Sequence, residues 1–148
     1  MGLFKKVDKV LAAMGNIRAM ERLHVDTATE GKINEIEGDA LATSEEGQFF
    51  AGVQELNGYL FLETVIVSGV KIKTFDGGRL TFSGDTGSFE LPSDTQEIES
   101  EYSNVSHRFL TQISFDITEA EIEKIRDKEF NEVHFHWKKK SLHFYRPN

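Results

Sequence analysis

Residues 72–91 read IKTFDGGRLTFSGDTGSFEL, and the two turns inside this stretch decide the fold. If Asp76-Gly77-Gly78 forms a three-residue loop with Gly78 in the left-handed conformation, Thr74 faces Leu80 and Ile72 faces Phe82. A four-residue loop over 84–87 sets Phe82 against Phe89 and Leu80 against Leu91. Both hairpins then gather their apolar side chains on one face, which predicts an antiparallel sheet buried on that side.

The same alternation extends in both directions. Strands are predicted over 49–54, 59–67, 70–75, 80–83 and 88–91, separated by turn residues, and further ones over 97–102 and 106–116. Next comes Ile117-Thr118-Glu119-Ala120-Glu121-Ile122, which reads as a helix start. Thr118 is the N-cap, Glu121 closes a capping box, and Ile117 against Ile122 makes a hydrophobic staple. A helix over 119–128 follows, and its thin apolar face, chiefly Ile122 and Ile125, suits a helix lying across a sheet. The chain then predicts a hairpin with strands over 132–137 and 142–145.

At the other end, Leu3, Phe4, Val7, Val10, Leu11 and Met14 recur at helical spacing with lysines between them, and Gly15-Asn16 supplies a stop. A second helical stretch is predicted over 17–23. Residues 24–47 fit neither period and read as poorly defined. The expected fold is α+β: a mainly antiparallel β-sheet, as a sandwich or partly closed barrel, with an N-terminal helix and one helix before a C-terminal β-hairpin. Residues 1–148 read as a single domain, with a helical segment at 1–23 and a β-rich body at 48–148.

Charge is unevenly spread. Residues 1–22 carry five basic and two acidic side chains (+3), residues 23–130 carry eight and twenty-two (−14), and residues 131–148 carry four and one (+3). Such an acidic body repels a phosphate backbone, so no nucleic-acid partner is expected. With no Cys there is no disulfide framework or thiolate metal site, which fits a cytoplasmic protein. No export signal and no apolar run of about 18 residues is present, so a soluble chain is expected. The basic N-terminal helix is the only candidate membrane contact.

Three of the five histidines fall within ten residues, in HFHWKKKSLHF over 134–144. Pairing Trp137 with Leu142 and Phe135 with Phe144 puts the apolar residues on one face and His136 opposite His143, with His134 two residues along. Cross-strand Cβ atoms lie only about 5 Å apart, and alternate residues about 6.5–7 Å, so His134, His136 and His143 can reach one zinc ion. Glu132, on the same face, is the carboxylate available to orient a ring. Alternating histidines with a third on the neighbouring strand resemble the zinc ligand set of the α-carbonic anhydrases, a likeness confined to this hairpin. It implies three neutral imidazoles and a bound water as the fourth ligand.

Asp85-Thr86-Gly87-Ser88 resembles the catalytic tripeptide of the aspartic proteases. Here, however, Ser83-Gly84 separate it from the preceding strand, and no glycine follows Gly87 to supply that family's later apolar-Gly element, so Asp85 reads as a turn residue. Glu97, Glu99 and Glu101 alternate into an acidic stripe, read as a solvated strand face. His24 and His107 stand alone, and no phosphate loop, nucleophile elbow or dinucleotide fingerprint occurs. The expectation is a non-catalytic binding or assembly module that works through contacts with a protein partner or with itself. Two alternatives stand beside it, a metal-dependent hydrolase or lyase built on the three histidines and a barrel enclosing a small apolar ligand.

Overall fold

The structure, a computed structural model, describes residues 25–36 and 39–147. The helices expected over 3–14 and 17–23 lie outside the described residues. The elements are α1 (Val25–Asn34), β1 (Ala42–Ser44), β2 (Gly47–Leu56), β3 (Tyr59–Ser68), β4 (Lys73–Thr74), β5 (Arg79–Gly84), β6 (Gly87–Pro92), β7 (Ile98–Glu99), β8 (Glu101–Tyr102), β9 (Phe109–Asp116), α2 (Glu119–Arg126), β10 (Glu132–Trp137) and β11 (Lys140–Tyr145). Nine strands form one antiparallel sheet in the order β6-β5-β10-β11-β1-β2-β3-β9-β8, and β4 pairs with β7 separately. The fold class is therefore α+β with a mainly antiparallel sheet.

The long β2–β3 hairpin follows from its turn. Asn57 and Gly58 both take positive φ, 52° and 84°, as a two-residue connection between right-twisted strands requires. Alternation along these strands divides the sheet into two faces. Phe49, Ala51, Leu62 and Ile66 point into a core that also holds Leu80, Phe82, Phe115, Val133, Phe135 and Phe144. Rings meet there from strands that are not neighbours, Phe49 with Phe82 at 6.3 Å and Phe115 with Phe135 at 6.1 Å, so the sheet curls over on itself. A bridge between Ser93 and Phe115 marks where its two ends approach. The curl stops short of a closed barrel, and its core sets Phe49, Phe82, Phe115, Phe130, Phe135 and Phe144 among isoleucines and leucines.

Two helices cover what the curl leaves open. Ile122 and Ile125 of α2 join the main core, and the capping box is present as expected: Glu121 N–H donates to Thr118 Oγ1 at 3.2 Å and Thr118 N–H to Glu121 Oε1 at 2.9 Å. The helix stops at Arg126, two residues before its expected end. α1 lies on the opposite face of β2, β3 and β9, where Ile33 packs with Phe50, Val65, Val67 and Leu110. The segment read as poorly defined thus contains, among its described residues, the helix Val25–Asn34 and the strand Ala42–Ser44. The helix escapes a periodicity test because its sequence VDTATEGKIN holds too few apolar residues to mark a stripe, Ala28 and Ile33 being buried ones.

Three registers were anticipated with different success. Leu80 faces Leu91 and Phe82 faces Phe89, as the second turn predicts, although pairing continues to Gly84 and Gly87 and leaves only Asp85-Thr86 as the loop. The first expected hairpin does not form. Lys73 and Thr74 pair with Glu99 and Ile98 instead, and Gly77 N–H donates to Gln96 O at 2.8 Å. The free edge of β5 goes to β10, whose Val133 and Phe135 match Phe82 and Leu80 in a ladder of five residue pairs, where β4 is only two residues long. In the terminal hairpin the pairing is shifted by two: Phe135 faces Leu142, His134 faces His143 and His136 faces Ser141. A two-residue shift leaves every side chain on its expected face, because sheet faces alternate with period two.

Candidate functional site: the histidine face of the sheet

The terminal hairpin occupies the middle of the sheet, between β5 and β1, and buries Val133, Phe135, Trp137, Leu142 and Phe144 inward. Its other face carries Glu132, His134, His136, Ser141 and His143. The rings of His134 and His143 stack at 4.2 Å with an interplanar angle of 23°, and His136 lies 6.1 Å from His134, edge to face. All three sequence-predicted metal residues therefore share one patch, with the shifted register making His143 the direct neighbour of His134 rather than of His136. Stacked in this way the rings do not converge on one point, and among the described residues no three His, Asp or Glu stand as ligands around one position.

The phase of the ladder fixes how close the pair is. Arg146 N–H donates to Asn131 O at 2.9 Å, so residues 131 and 146 form a hydrogen-bonded pair and every second pair inward does the same. His134 and His143 consequently face each other at a non-hydrogen-bonded position, where opposing side chains come closest. The backbone N–H of His143 is left to point away from β10, and it donates to Glu46 Oε1 at 3.0 Å. His143 Nε2 lies 3.2 Å from Ser141 Oγ. It also borders an open cleft of about 780 Å³ with Ser44, Glu45, Glu46, Ser141 and Tyr145.

His134 is less well provided for. Its Nε2 is buried without a hydrogen-bond partner, and Glu132 Oε2 stands 3.3 Å away in a charge contact that is not a hydrogen bond. Burial holds the His136 imidazole below its ordinary pKa, and the neighbouring His134, Arg79 and His143 act in the same direction, against a smaller pull from Glu90. The patch favours neutral rings at His136, the form that binds metals.

Polar anchors of α1 were invisible to the sequence reading. The Lys32 side chain is 1% exposed, and its Nζ donates to both carboxylate oxygens of Glu101 at 2.7 and 2.8 Å. This breaks up the expected acidic stripe, since Glu101 reaches α1 and Glu99 contacts Lys73 at 3.2 Å. Glu30 accepts from the Ser103 and Ser106 hydroxyls and lies 3.6 Å from Arg108. No local pattern signals such partners, which are 69 to 76 residues apart. His107, expected to be structural, sits in the same loop with φ 59° and its Nδ1 2.7 Å from Tyr102 Oη, while His24 lies outside the described residues.

The Glu30 anchor has a pH signature. Hydrogen bonds from Ser106 and Ser103, aided by the Arg108 charge, hold the carboxyl below its ordinary value of 4.5 although burial opposes them. A carboxyl whose pKa is depressed by folding adds stability that is complete above its unfolded value and is lost as pH falls through the folded one. The gap in thermal midpoint between the parent protein and Glu30→Gln is therefore expected to be constant from neutral pH down to about 5 and to narrow below about 4.5. A gap independent of pH across that range would show that the carboxylate charge has no part in holding the helix.

No protein-family model matches this sequence, and comparison with curated proteins and solved structures finds no match either. No helix among the described residues is long and apolar enough to cross a membrane.

Proposed function

We propose that the protein is a binding or assembly module that joins a second copy of itself through the free end of the β2–β3 hairpin. The observation that supports this reading is the pair Leu56 and Tyr59, which face each other across the turn and are 57% and 71% exposed. On the other side of the same hairpin, Val53, Leu60 and Ile122 line a groove of about 300 Å³ edged by Glu119, Glu123 and Arg126. Exposed aliphatic and aromatic side chains beside a partly apolar groove are the usual makings of a contact surface. Two carboxylates against one guanidinium leave this edge net acidic, which suits an occupant that is apolar and basic. Residues 1–22 have that chemistry, with Leu3, Phe4, Val7, Val10, Leu11 and Met14 set among Lys5, Lys6 and Lys9.

Complementary charges speed association and weaken with added salt. Sedimentation velocity at low salt is expected to show concentration-dependent association that declines at high salt and is lost in the double variant Leu56→Glu/Tyr59→Glu. A strict monomer at low salt and high concentration would overturn the proposal, as would association that the double variant leaves unchanged.

A further inference from the structure

A different observation, on the opposite part of the sheet, carries a second assignment. We infer that His134, His136 and His143 form a binding site for a borderline transition-metal cation, zinc(II) being the probe of choice. The argument begins with the backbone. Strands β10 and β11 are central in the sheet, so the Cα positions of His134 and His136 are held by ladders to both β5 and β11, and that of His143 by its pairing with His134 and by its N–H donated to Glu46 Oε1. A site on such strands is far more rigid than one on loops.

The side chains start close together. Two nitrogens bound to a tetrahedral zinc ion at about 2.0–2.1 Å stand about 3.4 Å apart. The His134 and His143 rings already lie 4.2 Å apart between centroids, at the position where cross-strand side chains are closest. Rotation about their Cβ–Cγ bonds turns two stacked rings into two ligands pointing at one ion. His136, two residues along the same strand face and 6.1 Å from His134, approaches from the side.

Three features make a ligand favourable here. The His134 Nε2 is buried without a hydrogen bond, and an unsatisfied buried polar atom carries an energetic cost that a ligand removes. Glu132 Oε2 stands 3.3 Å from that same nitrogen, so its carboxylate sets a negative charge beside the position the ion takes. The cleft beside His143 opens the site to solvent, so water can complete the coordination, with Glu45 and Glu46 adding negative charge at its edge. The nearest opposing charge on the neighbouring strand, Arg79, is engaged by Glu90 at 3.6 Å. Lys140 pairs with Trp137, whose side chain belongs to the other face of the strand.

The test is calorimetric titration of zinc(II) into tag-free protein stripped of metal, near pH 7.5 in a buffer that does not coordinate zinc. One saturable site per chain is expected, absent in His143→Ala and in His134→Ala, and weakened in Glu132→Gln, which removes the negative charge beside His134 Nε2. Histidine ring resonances of the parent protein, followed by NMR during the same titration, guard against variants that fail to fold. Those of three histidines should move together while those of His24 and His107 stay. Absence of saturable binding to the parent protein would overturn the inference, and so would zinc binding that persists in His143→Ala or shifts His24 or His107 instead. The self-association proposal stands or falls separately, because it rests on residues at the free end of β2–β3.

Discussion

Replacing Phe135 by alanine is expected to lower the free energy of unfolding by about 3–5 kcal/mol, the range for removing a fully buried aromatic side chain. Phe135 is wholly buried, stacks on Trp137 at 5.5 Å and meets Phe115 edge to face at 6.1 Å. These contacts join β10 to β9, two strands far apart in sheet order, so the ring helps to hold the curl as well as to fill it. Gly78 shows how closely the space is shaped, since a Cβ there would lie 2.6 Å from the Phe135 ring. A cavity at this point has little freedom to collapse, because its walls are strands already paired on both sides. Chemical denaturation followed by the fluorescence of Trp137, the only tryptophan, reads both the midpoint and the lost stack. A loss of under about 1 kcal/mol would mean that the interior repacks around the gap, contrary to the close packing described.

The second large effect is expected from Glu101→Ala. Removing one member of a fully buried ion pair costs about 3–5 kcal/mol, because the remaining charge is left in a poor environment. Here Lys32 is 1% exposed but Glu101 is 39% exposed, so water partly replaces the missing carboxylate and about 2–3 kcal/mol is the expected loss. The loss should be local. Amide hydrogen exchange is expected to accelerate in α1 and in the strands it covers, while α2 and the terminal hairpin keep their protection. Lys32→Met combined with Glu101→Ala should recover part of the loss, since an apolar side chain of similar length needs no charged partner at a position that is buried. Equal destabilisation in the single and double variants would show that the pair itself contributes little and that Glu101 acts otherwise.

How much of this was legible from sequence depended on how far each signal reaches along the chain. Thr118 and Glu121 are three residues apart, and the helix start they encode was read correctly because all of its partners are local. Leu80 with Leu91 and Phe82 with Phe89 span one tight turn, and that register was read as well. In the terminal hairpin the faces were legible and the register was not. Alternation distinguishes odd from even residues, but Trp137 opposite Leu142 and Phe135 opposite Leu142 satisfy it equally. The candidate site survived that uncertainty, since a shift of two leaves the same three histidines together and changes only which of them are neighbours.

Competition between distant partners was beyond reach. Asp76-Gly77-Gly78 is a fair local hairpin signal, yet β10, some fifty residues further on, offers β5 a longer ladder and a better match of apolar side chains. Lys32 is the sharpest case, a lysine inside a helix with little apolar character, which single-sequence reasoning assigns to solvent. Only the arrival of Glu101 from another part of the fold makes its burial tolerable.

The position of the terminal hairpin in the sheet also bears on how the chain must be assembled. Strands β1, β2 and β3 form one block, β5 and β6 form another, and the two are joined edge to edge by β10 and β11, which follow all of them in chain order. Until they arrive, β5 and β1 present open edges with nothing to pair with, the state most prone to mispairing between chains. Folding cannot therefore proceed strand by strand behind the ribosome. It must wait for the keystone, and the many contacts closed over long sequence separations make this a slow-folding topology for its size.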